Sequence, residues 1–124
     1  AFLNAYLRAY EKRDLDKTMA MYSSDPKTVF VDSTPQGRYV GKAAIKARLE
    51  WRFKQIVSMT IDCPWVSVST KGDLAWFVAE LLIRGTDGKE KEFTAPARWT
   101  GVLQRQAGKW LILQSHVSYT AGAE

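Results

Sequence analysis

An α+β fold is what this sequence predicts, with three N-terminal helices packed on one face of a curved antiparallel sheet. Two features point there. Apolar residues recur at helical spacing through the first half, and the second half is a succession of runs rich in Val, Ile, Trp, Phe and Thr separated by glycine turns. Helices followed by strands give a layered architecture with the helices on one face of the sheet, rather than alternating βαβ units.

Each element has its own signal. Phe2, Leu3, Tyr6, Leu7 and Tyr10 fall on one helical stripe. Asp14 is placed to cap a second, short helix with Leu15, Met19 and Tyr22 on its stripe, and Ser23-Ser24-Asp25-Pro26 ends it. Thr28 to Val31 is a β-branched run leading to Asp32, and Ser33-Thr34-Pro35-Gln36-Gly37 is turn chemistry. Ile45, Leu49, Phe53 and Ile56 then keep helical spacing, which predicts the longest helix over residues 42–57. Beyond it, Lys71-Gly72-Asp73, Asp87-Gly88 and Ala107-Gly108 divide an antiparallel meander. Met59, Ile61 and Cys63 alternate up to Pro64, after which Val66 and Val68 carry the apolar phase, so Pro64 marks a bulge or an edge position.

A length of 124 residues has room for one domain, residues 1–124, and not for a second. Its five Trp, at about 200 Å² each and roughly 25 cal/mol per Å², bring on the order of 25 kcal/mol of burial as an upper bound, which argues for a packed core. The lone Cys63 excludes an intrachain disulfide and a cysteine-based zinc site, and a reducing, cytoplasmic setting is expected. No apolar run reaches membrane-spanning length, so no membrane partner is expected, and the start lacks a signal-peptide pattern. Because the chain begins at Ala1 without Met, further residues upstream are allowed for.

The formal charge of +5 raises nucleic acid as a partner, but the basic residues are scattered. Their densest group, Lys42, Lys46, Arg48, Arg52 and Lys54, is read as the solvated outer side of the third helix, and no nucleic-acid-binding motif accompanies it. Without a G-x-G-x-x-G or P-loop, no nucleotide cofactor is expected, and one histidine cannot build an imidazole metal site.

Four polar residues interrupt apolar segments: Asp32, Glu80, Arg98 and His116. Asp32 is either an Asx-turn residue or a general base at a pocket mouth, its pKa raised by partial burial. Glu80 lies in the row Leu74, Trp76, Val78, Glu80, Leu82, Arg84, where a carboxylate pairs with Arg84 or Arg98 or else serves a pocket. Arg98, in phase with Thr100, clamps a ligand carboxylate or holds Glu80. His116, in phase with Gln114 and Ser118, is a hydrogen-bonded core residue or a ligand-facing acid or base.

The segment from Arg98-Trp99-Thr100 through Gly108-Lys109-Trp110 to His116-Val117-Ser118 resembles the closing hairpin of SnoaL-like proteins in the nuclear transport factor 2-like superfamily. Asp14-Leu15-Asp16, Met21-Tyr22, Val31-Asp32 and Gly41-Lys42-Ala43-Ala44-Ile45 resemble that family's two-helix entry, first strand and third helix. The resemblance covers nearly the whole chain and implies the cone-shaped, cystatin-like α+β fold with an interior able to hold a small molecule. It also implies a homodimer formed through the sheet.

By position, Asp32 is similar to the general base of ketosteroid isomerase, and Tyr6 to its oxyanion-hole tyrosine. Arg98 and Thr100 stand where that enzyme has a protonated aspartate. The resemblance thus implies a pocket with Asp32 and His116 as catalytic residues and Tyr6, Tyr10, Glu80, Arg98, Thr100 and Ser118 around the substrate. The ligand would be anionic or carbonyl-bearing, and the chemistry would be proton abstraction next to a carbonyl. The other reading the resemblance leaves open is a non-catalytic association or ligand-carrier domain, similar to the association domain of calmodulin-dependent kinase.

Overall fold

The computed structural model describes residues 1–120. Its elements run α1 (Phe2–Glu11), α2 (Leu15–Met19), β1 (Val29–Val31), β2 (Arg38–Val40), α3 (Lys42–Lys54), β3 (Ile56–Lys71), β4 (Leu74–Asp87), β5 (Glu92–Gln106) and β6 (Lys109–Tyr119). The strands form one curved, unclosed sheet in the order β2-β1-β6-β5-β4-β3. All neighbours are antiparallel except β1 and β6, which run parallel with Val31 opposite His116. The mixed α+β class and the early helices are as the sequence predicts.

Alternation sorts each long strand into two faces. On the inner face, Ala75, Phe77, Ala79, Leu81 and Ile83 of β4 are buried together with Ala97, Trp99 and Leu103 of β5. Trp99 is the hub of this layer. Its ring stacks on Tyr6 of α1 at 5.2 Å and meets Phe77 edge-on at 4.6 Å, so one side chain joins helix to sheet. The helical stripe Ile45, Leu49 and Phe53 of α3 closes the other side of the core.

Local chemistry fixes the boundaries. Asp14 caps α2, accepting from the Lys17 backbone N–H at 3.1 Å. Tyr22 lies beyond that helix and forms an isolated bridge with Ile112. Helix α3 ends at Lys54, so Ile56 begins β3 and the helix is shorter than the 42–57 expected. Ile56 keeps its buried position because the strand enters from the end of the same core stripe. Pro64 falls in a register shift between Asp62 and Trp65, the bulge its sequence position signals. The positive φ of the 87–91 loop belongs to Glu90 rather than to Gly88.

Strand β3 forms one edge of the sheet, and α1 guards it. Glu11 accepts from the Ile61 N–H at 2.6 Å while Arg8 donates to the Ile61 carbonyl at 2.6 Å, so both backbone groups that would otherwise face an open edge are taken.

Strand β5 approaches β6 and the Phe77 ring closely at Gly101. A Cβ there would lie 2.7 Å from the Gln114 carbonyl oxygen and 2.8 Å from the Phe77 ring. Gly101→Ala is therefore expected to cost about 1–3 kcal/mol by overpacking, read as a Tm several degrees lower in thermal unfolding. An unchanged Tm would contradict this packing.

Candidate functional site

The polar residues singled out in the sequence divide between the two faces of the sheet. Tyr6, Tyr10 and Asp32 lie on the helix-covered side. Glu80, Arg98, Thr100, His116 and Ser118 lie on the other, where Glu80 pairs in register with Arg98, Arg98 with Ser118, and Thr100 with His116. The expectation that Asp32 and His116 share one cavity is corrected accordingly. The helices bury the odd-numbered residues Ala97 and Trp99, which turns the even-numbered Arg98 outward, and Arg98, Glu80 and His116 are all exposed. The expected ion pair of Glu80 is also absent among the described residues. Arg84 instead meets Asp62 at 3.0 Å, and Glu80 lies beside Arg98 without an ion pair.

On the inner side, β1 delivers Asp32 to the flank of α3. Its Oδ2 accepts from Arg48 Nε at 3.0 Å, and its Oδ1 accepts from the Thr34 hydroxyl at 2.6 Å and the Thr34 N–H at 3.1 Å. Burial alone would push this carboxyl up. The Thr34 hydrogen bonds and the Arg48 guanidinium outweigh burial and hold it below its ordinary value. This corrects the expectation of a raised pKa. Both oxygens are occupied, and the group is an Asx-turn anion clamped by a cation.

Deeper in, the Tyr6 and Tyr22 hydroxyls share a hydrogen bond of 2.6 Å. Burial pushes both phenols up, which keeps them protonated. Tyr10 packs edge-on against Phe53 at 4.9 Å, and Arg52 donates to the Tyr119 hydroxyl while its guanidinium lies over that ring. Space among these groups is scarce. The hollow bounded by Tyr6, Tyr10, Phe30, Arg52, Trp99 and Tyr119 holds about 40 Å³, and that beside Asp32 and Arg48 about 20 Å³. A water molecule takes about 30 Å³ and ligand pockets run from roughly 300 Å³ upward, so this interior is essentially filled.

Arg48 and Arg52 were read as part of a solvated helix face, and the structure turns both inward. Their spacing held the signal. They stand three and seven residues after Ile45, on the flank of the stripe formed by Ile45, Leu49 and Phe53. Among the described residues no group of His, Cys, Asp and Glu could hold a metal ion, and no helix is long and apolar enough to cross a membrane.

Comparison with known proteins bears on this architecture directly. A family model described as the SnoaL-like domain matches residues 1–122, and the chain belongs to that family. No curated protein matches it. Among solved structures, a nuclear transport factor 2-like protein of unknown function from Pseudomonas putida superposes with a TM-score of 0.82 at 23% identity, over 94% of this chain and 80% of that one. A ketosteroid isomerase-like protein from Erwinia carotovora gives 0.82 at 20% identity, over 97% and 92%. A protein provisionally named a calcium/calmodulin-dependent protein kinase II association domain, from Xanthomonas campestris, gives 0.83 at 20% identity, over 98% and 84%. At these identities the likeness shows the nuclear transport factor 2-like fold.

The Asp32 clamp has a pH signature. A depressed carboxyl contributes stability that is fully present above its unfolded value near 3.9 and lost as pH falls through the lower folded value. Asp32→Asn is expected to be less stable than the parent by about 1–2 kcal/mol at neutral pH, with the gap closing below about pH 4, in urea unfolding at both pH values. A gap independent of pH would contradict the clamp.

Proposed function

We propose that this SnoaL-like chain is an association domain that pairs with a second copy of itself through the outer face of its sheet. The observation that carries the reading is the composition of that face. Trp65, Leu74, Trp76 and Val78 stand there between 42% and 49% exposed, adjacent across β3 and β4, with the half-buried Val102 beside Trp76 on β5. A contiguous apolar patch of large side chains rimmed by polar ones marks an interaction surface rather than ordinary scatter.

The charges of the face favour a copy of the chain as the occupant. Glu80 and Arg98 are cross-strand neighbours of opposite sign. A twofold axis can set the Glu80 of one protomer against the Arg98 of the other, the self-complementarity an isologous interface needs. Thr100, His116 and Ser118 then serve as polar contacts of the interface rather than ligands of a substrate. The Xanthomonas neighbour provisionally named an association domain supports this reading.

Proton abstraction by Asp32, which the isomerase-like neighbour suggests, has weaker support. Its oxygens are engaged by Thr34 and Arg48, and the adjoining hollow admits no substrate. Phosphate binding through α3 is likewise weakened, because Arg48 and Arg52 are committed to Asp32 and Tyr119.

Sedimentation velocity tests the assembly. At about 50 µM the parent is expected to run as a dimer and Trp76→Glu, with unchanged circular dichroism, to dimerise at least about tenfold more weakly, ~1.4 kcal/mol. A monomeric parent, or a variant that dimerises as the parent does, would contradict the proposal.

A further inference from the structure

We infer that a second concavity, on the inner side of the sheet and separate from the filled hollow around Tyr10 and Asp32, binds a neutral, largely apolar small molecule with a flat ring system. It lies between the first turns of α1 and the ends of β3, β4 and β5 next to their hairpin turns, and its volume is about 540 Å³. That is within the range of small-molecule sites, roughly 300–1,000 Å³.

Helix α1 has ten residues and spans about 15 Å, whereas the 16 residues of β3 reach about 50 Å when extended. Among the described residues the helix covers only part of the inner face. Val66 and Val68 oppose Ala79 and Phe77 on that face, yet they remain 46% and 51% exposed while Ala79 and Phe77 are buried. Inward-facing valines left bare at the rim of a cleft have apolar surface to offer, at roughly 25 cal/mol per Å² covered.

The walls define the class of ligand. Phe2, Leu3 and Leu7 form one side, and Val68, Trp99 and Trp110 contribute to the other. In a chain that is 25% charged, no Asp, Glu, Lys or Arg side chain among the described residues lines this cleft. An anionic ligand would give up hydration without gaining a guanidinium or ammonium side chain in return, which disfavours it against an uncharged molecule of the same shape. Asn4 and Thr70 supply donors and acceptors enough to orient one carbonyl or hydroxyl group. Two indoles favour a flat ring. Among the described residues the walls carry no carboxylate, imidazole, ammonium or guanidinium side chain, and the Cys63 thiol, which burial pushes up, is their one titratable side chain.

Trp99 and Leu7 form the partition between this cleft and the filled hollow, lining both. Occupancy is therefore reported by tryptophan fluorescence. The site lies on the opposite side of the sheet from the face proposed to pair, so the two readings stand or fall separately.

The test uses two probes with one ring system: neutral N-phenyl-1-naphthylamine and its anionic relative 8-anilinonaphthalene-1-sulfonate. The parent chain is expected to bind one neutral probe, seen as probe enhancement with tryptophan quenching, and to bind the sulfonate at least about tenfold more weakly. Val68→Asp, which puts a charge into the wall, and Thr70→Trp, which fills the cleft from an exposed position, should each weaken neutral-probe binding at least about tenfold, and Trp76→Glu on the outer face should leave it unchanged. Either of the two wall variants suffices if the other fails to fold by circular dichroism. Equal binding of the sulfonate overturns the ligand class. Full binding by a folded wall variant, or loss of binding in Trp76→Glu, overturns the site.

Discussion

The constraint on which this structure depends is that helices cover only one face of a strongly curved sheet, with Trp99 fixing which face that is. Its ring lies between Tyr6 of α1 and Phe77 of β4, and burying an indole of about 200 Å² is worth on the order of 5 kcal/mol. A one-residue slip of β5 would carry Arg98 inward and Trp99 outward, adding the cost of an unpaired buried charge to the lost burial. The register is thus determined, and with it the side on which every polar residue of β4, β5 and β6 emerges.

Two environments follow for groups that look alike in sequence. Asp32 and Tyr6 lie on the helix-covered side, where Thr34 and the Arg48 guanidinium engage Asp32 and the Tyr22 hydroxyl engages Tyr6. Glu80, Arg98 and His116 emerge on the face that carries the half-exposed Trp65, Trp76 and Val78, where their hydration is intact. A carboxylate, an arginine and a histidine arranged for catalysis would have to converge on one hollow. Here a layer of backbone and the inner side chains of the sheet separate them.

Much of the architecture was legible because it rests on local chemistry. Asp14 announced the second helix, Pro64 the bulge in β3, and the glycine turns the hairpins. The period-two pattern put Arg98 in phase with Thr100 and His116 in phase with Ser118, and the pairing of β5 with β6 sets both pairs on one face. Periodicity does not say which face the helices cover, and that choice is made by tertiary packing of Trp99, Tyr6 and Phe77. The inward turn of Arg48 and Arg52 was hidden for a related reason. Long basic side chains beside an apolar stripe read as solvent-facing unless their partners, Asp32 and Tyr119, are known to lie across the gap. Helix α3 was overextended because Ile56 continues its spacing while already belonging to β3.

Hydroxyl-radical footprinting of the tryptophans tests the central claim most directly, since Trp51 on α3, Trp65 and Trp76 are similarly exposed in the isolated chain, at 52%, 49% and 46%. With the outer face pairing as proposed, mass action should protect Trp65 and Trp76 from oxidation as protein concentration rises from about 1 to 100 µM, while Trp51 reacts as before. Equal reactivity of all three at every concentration would contradict the account.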